Sequence, residues 1–106
     1  MVYRLNYTSV ARESIDACIE YLLYSVGGAG NIQAAENFLK DYSETIAKIA
    51  NSAESYALCE NEKLRALGIH KVHFGRMKYK VFYTIEGDVV IVQLVCHDLR
   101  NFQELF

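Results

Sequence analysis

The sequence of 106 residues predicts one α+β domain with the element order β-α-α-β-β-β, in which a helical hairpin packs on one face of a small, mainly antiparallel sheet. Two observations carry this prediction. Apolar residues recur at helical spacing in the first half of the chain, whereas the period changes to two from Ile69 onwards. With 52% hydrophobic residues, the domain at 1–106 can fill one core without a disulfide or a structural metal.

A strand and a helix are predicted first. The segment VYRLNY at 2–7 alternates between apolar and polar residues, which is the period of a half-buried strand. Thr8 or Ser9 can then cap a helix, and the glycines of GGAG at 27–30 end it. The apolar stripe of this helix consists of Ile15, Cys18, Ile19, Leu22, Leu23 and Val26.

The remaining elements follow from the same signals. Asn31 is expected to cap a second helix, and residues 54–66 are expected to form a loop with a helical turn. Three antiparallel strands follow, separated by turns at Gly75-Arg76 and Gly87-Asp88. The apolar stripe of the second helix consists of Ala35, Phe38, Leu39, Tyr42, Ile46, Ile49, Ala50 and Ala53.

The register of these strands decides where the polar side chains lie. Two-residue turns would place Lys71 opposite Lys80 and would align His73, Lys78 and His97 in one row across the sheet. Longer turns would shift this pairing. The predicted basic face consists of Lys71, His73, Lys78, Lys80, Phe82, Gln93, Val95 and His97. The predicted core face consists of Val72, Phe74, Met77, Tyr79, Val81, Tyr83, Ile85, Val90, Val92, Leu94 and Cys96.

Neither a metal site nor a cofactor is predicted. His70 and His73 fall on opposite faces of their strand, with His70 on the core face, and no acidic residue lies on the predicted basic face. The three cysteines form no CxxC pair and are expected to be reduced thiols. No apolar run is long enough for a membrane span, and no signal sequence follows Met1, so a cytoplasmic protein is expected.

Charge divides the chain into two parts. Residues 1–62 hold four basic and nine acidic side chains, whereas residues 63–100 hold seven basic and three acidic ones. An anionic partner is therefore expected to meet the C-terminal half. Lysines opposite one another cost stability, which favours a functional interpretation of the basic face. The alternative is a solvated face on which lysines prevent aggregation.

Two segments resemble the RelE/ParE superfamily of toxins from bacterial type II toxin-antitoxin systems. They are KLRAL at 63–67 and HFGRMKYKVFYTIEGDVVIVQLVCHDLRNFQEL at 73–105. The most specific points are the hairpin YKVFYTIEGDVVIV and a histidine followed by a basic residue, here His97 and Arg100. The strand-helix-helix order at 2–53 agrees as well, so that the resemblance covers nearly the whole chain.

This resemblance implies two activities of different classes. RelE-like members cleave messenger RNA in the ribosomal A site, whereas ParE-like members bind and poison DNA gyrase without hydrolytic chemistry. Members of both kinds are neutralised by an antitoxin protein that wraps around the toxin. The expected partners are therefore a cognate antitoxin and either the ribosome with mRNA or gyrase, and the oligomeric state stays open. A third interpretation is an inactive binding domain of the same fold.

For RNA cleavage the resemblance implies specific residues. Lys80 stands where cleaving members place an arginine, with Lys78 beside it, and both could hold phosphate. His97 lies near a position that some members use for a general acid, and Glu62 lies near the carboxylate base of one branch. Contacts to the target are expected from the basic and histidine side chains nearby, namely Arg65, Lys71, His73, Arg76 and Arg100.

Other features of the chain depart from the cleaving members. Those tend to be strongly basic, whereas the formal net charge here is -2, and lysine lacks the fork with which arginine grips phosphate. The C-terminal HDLRNFQELF looks more ParE-like, with an apolar stripe of Leu99, Phe102, Leu105 and Phe106. The shared predicted face of His97, Lys78 and Lys80 favours mRNA cleavage, and gyrase binding stays open as the alternative.

Overall fold

The computed structural model describes residues 2–24 and 32–98, and its element order agrees with the predicted one. The predicted helix end at 27–30 and the cap at Asn31 lie outside these residues, as does the tail from Leu99 onwards. The expected helical turn in 54–66 is α3. The elements are β1 (Arg4–Tyr7), α1 (Ser9–Tyr24), α2 (Ile32–Ser52), a short 3-10 helix (Ala53–Ser55), α3 (Glu62–Ala66), β2 (His70–Phe74), β3 (Tyr79–Glu86) and β4 (Val89–His97).

The four strands form one mixed sheet in the order β1-β4-β3-β2. The N-terminal strand β1 runs parallel to β4, with Arg4 opposite Val89, and the other pairings are antiparallel. The predicted helical hairpin and its mainly antiparallel sheet are therefore confirmed. No helix among the described residues combines the length and the apolar character needed to cross a membrane.

The helix face of the sheet, the face against which α1 and α2 pack, carries the larger core. Helix α1 begins where the Thr8 hydroxyl accepts a hydrogen bond from the Ala11 amide at 2.9 Å, which confirms the predicted cap. Four aromatic rings pack together between α2 and the sheet, and Phe38 meets Tyr79 edge to face with the ring centroids 4.8 Å apart. The fully or nearly fully buried members of this core include Ala11, Phe38, Ile49, Val81, Tyr83, Val90, Val92 and Val95.

The opposite face of the sheet, which we call the distal face, carries a second and smaller core. It consists of Cys59, Leu64, Ile69, Phe82, Leu94 and Cys96. Helix α3 supplies Leu64, whose backbone amide donates a hydrogen bond to the Asn61 side chain at the helix N-terminus. The prediction that Phe82 lies on an exposed face is therefore wrong, because α3 and the segments beside it cover the ring.

The turn after β2 differs from the prediction. Phe74 pairs with Tyr79, so the turn contains four residues rather than two, and Gly75, Arg76 and Met77 all have left-handed backbone angles. Lys78 therefore lies in the turn and not in a strand. Met77, predicted to be in the core, is 62% exposed. The turn at Gly87-Asp88 has two residues, as predicted.

A β-bulge changes the second half of β4. Phe82 pairs with Leu94 and Tyr83 pairs with Val92, which leaves Gln93 as the extra residue. Since side chains alternate along a strand, one extra residue moves all later side chains to the other face. Leu94 and Cys96 accordingly join the distal face instead of the predicted core face. Val95 and His97 leave the predicted basic face, and His97 pairs with Tyr79 rather than with Lys78.

Helix α1 holds the bulge in place. The Ser14 hydroxyl is buried and accepts a hydrogen bond from the Val95 amide at 3.0 Å. The Thr8 hydroxyl donates to the Gln93 carbonyl at 3.3 Å, and the Gln93 side chain donates to Thr84 at 3.0 Å. The first two contacts give partners to the Val95 amide and the Gln93 carbonyl, and the third fixes the Gln93 side chain, so the bulge is a fixed part of the fold.

Candidate functional site

The structure brings only part of the predicted site together. Lys71, His73 and Lys80 share the distal face, where His73 pairs directly with Lys80. Their pairing differs from the predicted one by two residues because the turn after β2 is longer, and an even shift preserves the face. The predicted row of His73, Lys78 and His97 does not exist.

The side chains of the other predicted residues do not join this group. Arg76 and Lys78 are exposed in the turn between β2 and β3, and Glu62 and Arg65 are exposed on α3. His97 is exposed at the end of β4 and lies on the same side of the sheet as the helices. Its ring meets Tyr79 edge to face, with the ring centroids 5.5 Å apart. Arg100 lies outside the described residues.

An acidic residue completes the group on the distal face. Asp98 follows β4 directly, and its carboxylate lies 2.8 Å from Nε2 of His73. Nζ of Lys80 donates to the backbone carbonyl of Asp98 at 2.8 Å and lies 3.5 Å from its carboxylate. The Asp98 amide donates to the Lys78 carbonyl at 2.7 Å. We call His73, Lys80 and Asp98 the Asp98 cluster.

The sequence prediction missed Asp98. Simple alternation along β4 would place residue 98 on the helix face, and the prediction that no acidic residue meets the basic face is wrong. The bulge at Gln93 brings Asp98 to the distal side. The sequence did single out this residue, because Asp98 is the one acidic side chain from Val89 to Asp98 and stands at the end of an apolar strand.

Burial and charge fix the roles within the Asp98 cluster. Lys80 is only 5% exposed, and a buried ammonium group requires the carbonyl and the carboxylate that Asp98 supplies. The hydrogen bond from His73, together with the Lys80 charge, holds the pKa of Asp98 below its ordinary value, although partial desolvation opposes this. Since an ionised carboxylate only accepts hydrogen bonds, Nε2 of His73 is the donor.

The neighbouring thiol is not activated. Cys59 lies in the small core beside this site, and burial raises the pKa of its thiol, although the charges of Lys71 and Lys80 oppose the shift. A thiol that stays protonated is a poor nucleophile, so the reactive potential of the site rests on His73. Among residues 2–24 and 32–98, no group of three or more histidine, cysteine or acidic side chains could hold a metal ion.

The Asp98 cluster can transfer a proton through His73, but it offers little accessible positive charge for binding an anion. With Nε2 of His73 donating to Asp98, the Nδ1 atom of the neutral imidazole can take up a proton. Lys71 lies two residues before His73 on the same face, is half-buried, and is the one lysine or arginine in β2. Lys80 is engaged by Asp98 and is largely withdrawn from solvent.

Comparison with known proteins identifies the fold. No protein-family profile and no curated protein sequence matches the chain. The chain shares its fold with two solved structures of toxin-antitoxin systems, which confirms the fold that the resemblance implied. One similar solved structure is the chromosomal ParDE TA system from P. aeruginosa, with a TM-score of 0.69, 16% identity, and coverage of 91% of this chain and 96% of that one.

A second similar structure is the RelBE2 toxin-antitoxin complex from Mycobacterium tuberculosis. Its TM-score is 0.59 at 13% identity, and the match covers 92% of this chain and 99% of that one. Both matches extend over nearly the full length of both chains. At such low identity they establish the fold, and the activity has to be argued from the residues of this chain.

Proposed function

We propose that this chain is the toxin of a type II toxin-antitoxin pair and that it arrests growth in the cytoplasm when its antitoxin is absent. Support comes from the fold shared over nearly the whole length with chains of a ParDE and a RelBE2 system. A fold by itself does not determine a function, so the target is argued from the site.

For the target we propose DNA gyrase, bound as the ParE resemblance implies, without chemistry of the chain's own. The dispersal of the predicted catalytic residues carries this choice. His97 is on the other side of the sheet from Lys80, Lys78 is in a turn, and Lys80 is buried against Asp98. Cleavage of RNA passes through a more negative phosphorane-like state, which requires accessible cations close to the proton donor.

RNA cleavage in the ribosomal A site remains a second candidate, and the contact between His73 and Asp98 favours it. In that mechanism Nδ1 of His73 takes the proton of a ribose 2'-hydroxyl, the 2'-oxygen bonds to phosphorus, and the bond to the 5'-oxygen breaks. Lys71 would contact a non-bridging phosphate oxygen. The leaving oxygen would need a proton from a further donor, such as solvent or the ribosome.

The two candidates differ in what the cell shows after induction. We would express the wild-type chain and His73→Ala at matched protein levels, and measure growth, plasmid supercoiling and transcript ends. Gyrase binding predicts growth arrest, inhibited supercoiling and intact transcripts, and it predicts that His73→Ala still arrests growth. New transcript ends within codons, lost in His73→Ala, would establish RNA cleavage instead. Normal growth with both chains would contradict the toxin proposal and support the inactive binding domain.

A further inference from the structure

A groove lies between α2 and the turn at residues 75–78. Its volume is about 570 Å³, within the range of about 300 to 1,000 Å³ that is typical of small-molecule sites. The described residues that line it include no member of the Asp98 cluster, so it is a separate feature of the surface. Its charged members are Lys40, Asp41, Glu44, Lys48, Arg76 and Lys78, and we call this space the basic groove.

Positive charge prevails in the basic groove. Four basic and two acidic side chains line it, although the whole chain has a formal net charge of -2. Lys40 and Lys48 come from α2, and Arg76 and Lys78 come from the turn, so an anion in the groove can be contacted from both walls. All four are exposed, and within residues 2–24 and 32–98 none of them forms an ion pair. The two lysines of α2 are about 12 Å apart along the helix axis, which suits a ligand with several phosphates.

The turn that supplies two of these cations has an unfavourable backbone conformation. Arg76 and Met77 have left-handed φ angles of 58° and 69°, which cost stability in residues that have a Cβ atom. Such conformations are found preferentially at ligand sites, where they fix the position of a side chain. The turn therefore sacrifices stability while it holds Arg76 and Lys78 at the basic groove, which favours a functional interpretation of both.

The two carboxylates of the basic groove narrow the class of ligand. Asp41 and Glu44 would repel a phosphate group, because ionised carboxylates accept hydrogen bonds and carry the same sign of charge. A ligand that combines phosphates with N–H donors satisfies both kinds of side chain. Guanine presents a ring N–H beside an amino group, and one carboxylate can accept from both, whereas adenine presents a ring acceptor beside its amino group.

We propose that the basic groove binds a guanosine polyphosphate. The phosphates contact Arg76, Lys78 and the lysines of α2, and the guanine edge donates to Asp41 or Glu44. A single phosphate would leave much of the positive charge of the groove unmatched, so affinity should rise with the number of phosphates. The proposed site lies apart from the Asp98 cluster, and the inference does not rest on the toxin function.

Isothermal titration calorimetry on the purified full chain tests the ligand class. The probes are GTP, GMP, ATP and inorganic tripolyphosphate, each titrated in EDTA at several salt concentrations. We expect GTP to bind about tenfold more tightly than GMP, with an affinity that falls as salt rises. The preference for GTP over ATP should be about fivefold or more, which is the effect of one good bidentate contact to a base. Tripolyphosphate should bind more weakly than GTP.

Matched variants locate the phosphate contacts. Arg76→Gly removes a cation from the basic groove, and glycine suits the left-handed backbone there, so GTP binding should weaken by about fivefold or more in a folded protein. Lys40→Ala with Lys48→Ala should weaken it by about tenfold. The control is Arg12→Ala with Lys63→Ala, which removes two positive charges at exposed residues outside the groove. Circular dichroism checks that each variant is folded.

A second double variant tests the contact to the base. Asp41→Asn with Glu44→Gln removes both carboxylates and keeps the size of the side chains. We expect the preference for GTP over ATP to disappear, because an amide offers no second acceptor oxygen. Tripolyphosphate should bind more tightly to this variant than to the wild-type chain, because two negative charges have left the basic groove.

Several outcomes would overturn the inference. They are an absence of GTP binding, equal affinities for GTP and tripolyphosphate, and an equal loss of GTP binding in the control variant. Binding that requires Mg²⁺ would assign the carboxylates to a metal ion instead of a base. An RNA of eight nucleotides that displaces GTP and binds more tightly would make the basic groove part of a nucleic-acid surface. Growth arrest is no readout of these experiments, so a failure of the toxin proposal would leave their result unchanged.

Discussion

The helix face of the sheet is covered by two long helices, whereas the distal face is covered by the five residues of α3 and the segments beside it. The helix-face core contains large aromatic rings that contact each other across elements. The distal core has six members, and the Asp98 cluster lies beside it. The helices therefore supply most of the stability of the fold, while the thinly covered face carries the Asp98 cluster.

Replacement of Phe38 should show how strongly the helix face stabilises the fold. Phe38→Ala removes a ring that contacts Tyr42, Phe74 and Tyr79, and should lower the free energy of unfolding by about 3 to 5 kcal/mol. The control is Leu39→Ala at a neighbouring exposed position, where a loss below about 1 kcal/mol is expected. Urea denaturation measures both, and equal losses would contradict this view of the core.

Truncation of a buried side chain on the distal face should lower the free energy of unfolding by less than truncation on the helix face. Leu64→Ala empties the centre of the six-residue core, and we expect a loss of about 2 to 3 kcal/mol because the short α3 can collapse into the cavity. Hydrogen exchange should show faster opening of α3 with little change in α1 and α2. A loss larger than that of Phe38→Ala would reverse the ranking of the two faces.

The two turns of the sheet allow a matched test of backbone and side-chain effects. Gly75 and Gly87 have nearly the same left-handed φ, at 60° and 59°. A methyl group at Gly75 would also meet the Tyr79 ring at 3.1 Å, whereas a methyl group at Gly87 would have no atom within 4 Å among the described residues other than its chain neighbours. We expect Gly87→Ala to cost about 1 kcal/mol and Gly75→Ala about twice as much. Thermal denaturation would reveal equal costs if the contact with Tyr79 were unimportant.

The smallest expected effect is a pH dependence that belongs to the distal face. The pKa of Asp98 lies below its ordinary 3.8, so its carboxylate stabilises the fold above that pH, and this contribution is lost as the pH falls through the lower, folded-state pKa. In Asp98→Asn, the free energy of unfolding, measured by urea denaturation, should fall less steeply as the pH drops from about 5 to about 2. Asp88→Asn, at an exposed carboxylate, is the comparison, and an equal flattening there would contradict the assignment to Asp98.

Long periodic segments explain why so much of the fold was predictable from the sequence. The stripes of α1 and α2 and the alternation of β3 each repeat one signal many times, so local exceptions do not hide it. The Gly87-Asp88 turn was also predicted correctly, since its two residues fit the common hairpin loop.

The arrangement of the predicted site residues differs from the prediction for reasons that no periodicity encodes. The bulge at Gln93 depends on hydrogen bonds from Thr8 and to Ser14, which are some 80 residues away in sequence. The four-residue turn depends on left-handed angles at Arg76 and Met77, which their side chains do not signal. One residue in β4 and two in the turn were enough to separate His97 from Lys80 and to bring Asp98 to His73.

The central position of β4 has a consequence for synthesis. Strand β4 is hydrogen-bonded to β1 on one side and to β3 on the other, and Arg4 meets Val89 only after the 84 residues between them have been made. A nascent chain that stops before Val89 has no partner for its first strand and no strand to carry Asp98. Folding of the sheet must therefore await the synthesis of β4, since contacts so distant in sequence cannot form before both partners exist. Prematurely terminated products of this gene are accordingly expected to lack the native fold.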